Sequence, residues 1–462
     1  MSLVRARQPL LCSGALMRAM QQFFFLLQQR GMAWARWLTQ PTSTQERNIR
    51  NVLIDGVGDG IVNGIATFLS VFLARLGASP FTVSLLTSMP AVTGMILAIP
   101  VGRMLERQRN IVPWYSRARV WVLSSYALTG LVPFLFAGTS AAIPIIAIWA
   151  IATIPQTIVS IAFTVVMGAV AGPTRRFYLM SRRWTVLGVT TAIAVALAGF
   201  MLDLIAFPLN YQTVFIASFL GGLLSFIFSS QISIPDNVSQ AAAHKPQRPW
   251  HVRLAEGVAA LKENAAFSRF LISAFVFNCG LSMAVPLLPL YWVRVVNASD
   301  SWIGVINTVN NAVLLVAYFL WVGLAQRRGG RFVLLACSLG LAFYPLLTGL
   351  TPIVQPLPLY AGLAGIFAAG LNLVLFDISL STVPKQQTAS YVALYQATVY
   401  IAAFVGPTVG TALAGAWGYS PALFVSAGLR LAGFMLFAAL GVGAVAERGQ
   451  RVASQSADVE AA

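Results

Sequence analysis

The stretch NVLIDGVGDGIVNG, residues 51–64, sets how the rest of the chain is read. Two aspartates and four glycines suggest a loop, whereas the apolar residues between them, continuing to Ala74, suggest a membrane helix. Helical spacing reconciles the two. Asn51, Asp55, Asp59 and Asn63 step by four and share one face, while Gly56, Gly60 and Gly64 form a second stripe about 100° around the axis. The glycine stripe admits a close neighbouring helix, and the polar stripe can face a wet cavity. An ionised aspartate at mid-bilayer costs about 2.5 to 3.5 kcal/mol, so the pair needs water, a cation or a proton.

Composition makes the membrane reading general. Of 462 residues, 58% are hydrophobic and only 9% charged, where a soluble domain carries about 25%. Mean hydropathy is +0.77. The net charge of +17 is spread in small clusters between long uncharged runs rather than over one basic face, which argues against nucleic acid as a partner. No P-loop sequence occurs, so ATP is not the expected energy source. Cys12, Cys279 and Cys337 form no framework, and His244 and His251 lack metal-ligand spacing; no cofactor or metal is expected.

Twelve apolar runs of about 20 residues can be marked: 51–74, 81–101, 118–137, 141–168, 184–205, 211–231, 268–293, 302–325, 332–350, 356–382, 390–415 and 421–445. Alternating the intervening segments puts all but three of the 30 basic residues on one side, the exceptions being Arg75, Arg294 and Arg430. Positive residues stay in the cytoplasm, so both termini are expected there, in a multi-pass protein of the cell membrane (inner or plasma). The organisation follows: a basic cytoplasmic segment 1–46, a six-helix bundle 47–231, a cytoplasmic linker 232–267 with a short amphipathic helix over 252–261, a second six-helix bundle 268–446, and a cytoplasmic tail 447–462. The first segment reads as lying on the membrane surface, although Met17, Met20 and Met32 offer later starts.

After the second span comes GRMLERQRN (102–110), and after the eighth comes GLAQRRGGR (323–331). Each gives Gly, three residues, a polar residue and Arg, in equivalent loops half a chain apart, as two fused six-helix units would leave. These loops resemble the Gly-x-x-x-Asp-Arg/Lys-x-Gly-Arg/Lys-Arg/Lys signature of the major facilitator superfamily. Gly102 and Arg107 match in the first copy, with Glu106 in place of the aspartate and Arg109 where the later glycine stands. Gly323, Arg328, Gly330 and Arg331 match in the second, with Arg327 at the acid position. The resemblance, over about residues 47–446, implies an all-α membrane fold of two six-helix bundles related by a pseudo-two-fold axis. It implies a gating latch at Glu106, Arg107 and Arg109, and a cavity lined by spans one, four, seven and ten. GPTVGTALAG (406–415) is similar to a Gly-Pro motif that drug–proton antiporters carry in the fifth span, but here it lies in the eleventh. Packing explains its small residues equally well.

Polar residues fall at helical spacing in those same spans. They are Asp55, Asp59 and Asn63; Gln156, Ser160 and Thr164; Asn278 and Ser282; and Asn372 and Asp377. Tyr395, Gln396, Asn307, Asn310 and Asn311 can add to the lining. Two carboxylates one turn apart favour holding a shared proton, so Asp59 is the candidate coupling carboxylate and Asp55 its modulator, unless Asp55 pairs with Arg47, Arg50 or a neighbouring loop. Asp377 is expected beside Arg430.

The expectation is a monomeric secondary transporter, not an enzyme, moving a small solute by alternating access. Proton coupling and export of amphipathic compounds are its finer parts. One alternative is a sensor or assembly factor of the same fold. A remote one is a membrane prenyltransferase, since Asn51, Asp55 and Asp59 resemble part of an aspartate-rich motif, but the second aspartate cluster is missing.

Overall fold

The computed structural model describes residues 43–234, 264–381 and 388–443. Residues 1–42, the expected helix at 252–261 and the tail 447–462 lie outside them, as do the side chains of Glu106 and Asp377. Twelve α-helices are present among the described residues: α1 (Thr44–Ala66), α2 (Leu69–Arg75), α3 (Pro80–Glu106), α4 (Val112–Leu135), α5 (Ala142–Leu204), α6 (Leu209–Ser230), α7 (Ala265–Arg294), α8 (Asp300–Arg328), α9 (Gly330–Leu350), α10 (Leu357–Ser381), α11 (Thr388–Trp417) and α12 (Tyr419–Ala439).

The sequence marks many of these boundaries chemically. Ser43, Ser79, Asn264 and Ser299 each precede a helix and accept a hydrogen bond from a backbone N–H of its first turn, and Pro80 follows one of these caps. Gly329 (φ 83°) and Gly418 (φ 91°) close α8 and α11 in the left-handed region that favours glycine.

Among the described residues, twelve stretches are long and apolar enough to cross a membrane. α1 and α2 together make the first, interrupted at Thr67–Phe68, and α5 carries both the fourth and the fifth. Each lies within two helical turns of the run marked in the sequence. The outward sides are apolar, with Leu135 and Phe319 about 80% exposed, as lipid-facing residues are.

The segment between the fourth and fifth spans corrects the sequence reading. The cations there predict a loop holding Arg182 and Arg183, but residues 142–204 are helical throughout. The chain nevertheless doubles back there, because the Arg183 guanidinium lies 4.5 Å from the centroid of the Phe163 ring. A straight helix would separate residues twenty apart by about 30 Å.

The helices form two bundles, α1–α6 and α7–α12, that pair alike internally. They meet along α5 against α8 and α3 against α11. One buried cluster joins both bundles at the face opposite the cation-rich segments, running from Phe72 and Phe215 to Leu287, Tyr291 and Leu423. Toward the cation-rich face the core divides. Val52, Leu105, Tyr115 and Val166 belong to the first bundle alone, and Phe270, Phe277, Val333 and Leu375 to the second. The bundles are thus sealed together at one face and part toward the other.

Candidate functional site

The glycine stripe of α1 positions the site. A Cβ on Gly60 would lie 2.8 Å from the Leu187 carbonyl, and one on Gly64 would lie 2.7 Å from Ala194, so α1 packs against the fifth span at a distance only glycine permits. Gly58 brings α1 equally close to Ser225 on α6. The aspartates are thereby placed within reach of arginines on two other helices.

Asp55 is fully buried. Its Oδ1 accepts from Arg119 Nη1 and from Ser225 Oγ, both at 2.6 Å, and its Oδ2 accepts from Arg183 Nη2 at 3.1 Å. Arg119 also donates to Ser225 Oγ, and its Nη2 donates to Tyr115 Oη at 2.7 Å. Asp59, one turn along, accepts from Arg183 Nη2 at 2.8 Å and has Arg119 Nη1 at 3.7 Å. Two carboxylates and two guanidiniums balance in charge, which is what makes such a cluster tolerable in a low-dielectric interior. Asp59 differs from Asp55 in access: its side chain is 28% exposed, while that of Asp55 is inaccessible.

That exposed side faces a cavity of about 130 Å³ bounded by Asp59, Asn63, Arg119, Tyr126, Gln156 and Ser225, with Val62, Val122, Leu123 and Val159 as apolar wall. The volume has room for several waters, but drug-sized sites run to about 300 to 1,000 Å³. The chamber therefore suits water and protons, and a larger solute needs the space between the bundles.

Of the residues singled out in the sequence, the chamber unites Asp59, Asn63 and Gln156. Asn63 donates to the Asp59 carbonyl at 2.8 Å. Ser160 and Thr164 are exposed one and two turns beyond Gln156. The second-bundle residues lie apart from the chamber. Asn278 donates to the Ala274 carbonyl, Ser282 packs at Gly406, Tyr395 lies against Phe270, and Asn372 and Gln396 are exposed. Asn310 bridges to the Ala361 carbonyl as interhelical glue. Arg430 is buried and donates to the carbonyls of Gly280 and Leu341. Gly406 and Gly410 press against α7, so the Gly-Pro stretch serves packing.

The alternative pairing of Asp55 is narrowed: it pairs with neither Arg47 nor Arg50 but with Arg119 and Arg183, which the charge count puts with the neighbouring cytoplasmic segments. Arg119, at the start of the third run but counted with the cytoplasmic cations, and Arg183, just before the fifth, are 6% and 1% exposed within the first bundle. Arginine marks span ends in a hydropathy reading, and nothing local to either residue reveals a carboxylate partner 64 or 128 positions away.

In the expected gating loops, Gly102 and Gly323 are open: a Cβ added to either would meet nothing within 4 Å. Arg107 and Arg109 are exposed, and Arg328 stacks over Phe332 at 5.0 Å. Arg331 reaches toward the Ala438 carbonyl beside Gly330. At the opposite face, Arg75 and Tyr211 of the first bundle hold the Asp300 carboxylate of the second, at 3.0 and 2.7 Å. Asp203 accepts from the Asp300 backbone N–H at 3.0 Å, and Arg294 donates to the Ala78 carbonyl.

Comparison with known proteins agrees with this architecture. Multidrug resistance protein MdtG of Serratia proteamaculans is 30% identical over 172 residues, which is 36% of this chain and 41% of that protein. MdtG of Salmonella paratyphi C is 30% identical over 172 residues, 36% of this chain and 42% of its own length. The chain thus aligns with about two fifths of the length of these relatives. Among solved structures, a variant of nucleoside transporter NupG superposes with a TM-score of 0.70 at 10% identity, covering 86% of this chain and all of that one. A bacterial homologue of the human lysosomal transporter Spinster, inward-facing and occupied, superposes with a TM-score of 0.66 at 13% identity over 85% of this chain and 96% of that one. At such identity these two likenesses establish the fold alone. The Major Facilitator Superfamily model matches residues 53–300 and 270–458. With its twelve spans in two six-helix bundles, the chain belongs to the Major Facilitator Superfamily, a family of multi-pass membrane transporters and not of enzymes.

Proposed function

We propose that this protein is a proton-coupled secondary transporter that exports small amphipathic compounds across the cell membrane, as a monomer with both termini in the cytoplasm. The observation that carries the reading is Asp59, a carboxylate open on one side to a chamber with room for several waters and held by Arg183 at 2.8 Å on the other. The described conformation, sealed at the face opposite the cations, then corresponds to the inward-facing state with Asp59 ionised and its proton delivered to the cytoplasm. When the bundles rock, the chamber meets the outer solution and Asp59 takes a proton. Protonation removes the negative charge that Asp59 contributes to the balanced cluster, and the loss of balance favours the alternate arrangement of the bundles. The solute occupies the cleft between the bundles in the alternate step, so one proton enters as one solute leaves.

The export direction and the amphipathic class are supported by the likeness to MdtG, which is named for multidrug resistance. Reconstitution tests the proposal. Proteoliposomes should move amphipathic dyes against their gradient when a pH gradient is imposed, and Asp59→Asn should still pass dye downhill without accumulating it. Gradient-driven accumulation by Asp59→Asn equal to the unaltered protein would remove Asp59 from the coupling role.

A further inference from the structure

The fifth span, the part of α5 from Leu179 to Leu204, touches three sites at once. At one end Arg183 engages Asp59 and Asp55. Along its length it carries the contact with the other bundle. Gly188 meets Leu315, Thr308 donates to the Ala192 carbonyl, and Gly199 and Gly304 approach so closely that a Cβ on either would lie about 3 Å from the other's Cα. At the far end Asp203 accepts from the backbone N–H of Asp300, inside the Arg75 and Tyr211 network that closes the opposite face. Twenty residues of helix separate Arg183 from Asp203, about 30 Å of continuous hydrogen-bonded rod.

We propose that Arg183 is a positioning residue that relays the charge of Asp59 along the fifth span to the Asp203–Asp300 contact, so that protonation in the chamber unlocks the opposite face. This rests on the proton-coupled reading of Asp59. The groups facing Asp59 are Asp55 on its own helix, Tyr115, Arg119 and Tyr126 on α4, and Arg183 on α5, while Ser225 on α6 offers only a hydroxyl. With Asp59 ionised the four charged groups balance. With Asp59 protonated, two guanidiniums face one carboxylate in a space that excludes most water, and the imbalance favours departure of one of them. Arg119 is tethered by Asp55, Ser225 and Tyr115. Arg183 is held by the two carboxylates and the Phe163 ring; when Asp59 is protonated Arg119 keeps its 2.6 Å contact to Asp55, while the 2.8 Å contact of Arg183 to Asp59 weakens. It is the guanidinium with less to lose, and it sits on the helix that bears on the second bundle. At the far end the charged and titratable groups are Arg75 from α2, Asp203 from α5, Tyr211 from α6 and Asp300 from α8, so the lock crosses the bundle boundary and a shift of the fifth span acts on it directly.

Nitroxide pairs at Ser140 and Gln355, exposed positions on opposite bundles at the sealed face, report opening as a distance in the full-length protein in lipid nanodiscs. In an otherwise unaltered background, lowering the pH should lengthen this distance. Asp59→Asn and Arg183→Gln should each give a longer, pH-independent distribution, and the double variant should match the singles rather than add to them. Arg183→Lys, which keeps the charge, should recover part of the pH response. Asp203→Asn leaves the cluster intact and should shift half-opening to higher pH by about one to two units, since the charge that strengthens the hydrogen bond from Asp300 is removed.

An unaltered pH response in Arg183→Gln, with the response abolished in Asp59→Asn, would overturn the relay and leave the coupling role of Asp59 standing. An unaltered response in Asp59→Asn would overturn the coupling reading itself. If Arg183→Gln does not fold, Asp203→Asn decides: half-opening at the original pH overturns the relay.

Discussion

Arg75 on α2 and Asp300 on α8 meet at 3.0 Å across the two bundles, and the same carboxylate accepts from Tyr211 at 2.7 Å. The pair is partly sheltered, with side chains 27% and 7% exposed. A sequence-distant ion pair joining the bundles at the sealed face biases the molecule toward closure there. Asp300→Asn should weaken the lock by about 1.5 to 3 kcal/mol, and so raise the population open at that face about ten- to hundredfold. Alkylation of a cysteine placed at Ala298, buried at the sealed face, would read it, and an unchanged rate would show that the pair does not hold the face shut.

The two aspartates of α1 should separate in their effect on stability. Asp55 is inaccessible and hydrogen-bonded to Arg119, Arg183 and Ser225. Removing one partner of a buried ionic cluster costs about 3 to 5 kcal/mol. Asp55→Asn should therefore lower the thermal midpoint in detergent well below that of Asp59→Asn, whose carboxylate is reached by solvent. Equal midpoints would mean that the difference in burial has no energetic meaning.

The glycines of the opening stretch make a steric prediction. Gly60→Val places a methyl-bearing carbon 2.8 Å from the Leu187 carbonyl and should destabilise the first bundle by about 1 to 3 kcal/mol or push α1 away from the fifth span. Gly102→Ala enters open space and should leave the thermal midpoint unchanged. The test is a comparison of the two midpoints, and similar values would contradict the packing described.

How much of the molecule is legible in the chain itself depends on the range of the interaction. Membrane spans are local: twenty apolar residues announce themselves, and the boundaries fall within two turns. The stripe of Gly56, Gly60 and Gly64 is also legible, because helical period alone places those residues on one face, and that face does meet the fifth span. Arg119 and Arg183 are not. Their charge makes them look like loop residues, and only the packing of α1 against α5 and α6, with α4 packed against those two, brings them to Asp55 and Asp59. Residues 171–178 mislead for a related reason, since Gly172 and Pro173 beside two arginines read as a loop where the backbone remains helical. Of the polar residues in four spans, the chamber gathers Asp59 and Asn63 of the first and Gln156 of the fourth, while Asn278, Ser282 and Tyr395 pack within the second bundle. Spacing shows which face a residue shares, and the neighbour of that face is set by tertiary packing.

Whether Asp59 couples solute movement to protons is decided by dye flux in proteoliposomes bearing an imposed pH gradient, comparing the unaltered protein with Asp59→Asn. Coupling through Asp59 predicts gradient-driven accumulation in the first and only downhill equilibration in the second, with similar initial rates of downhill exchange. Accumulation of equal extent in both would contradict it.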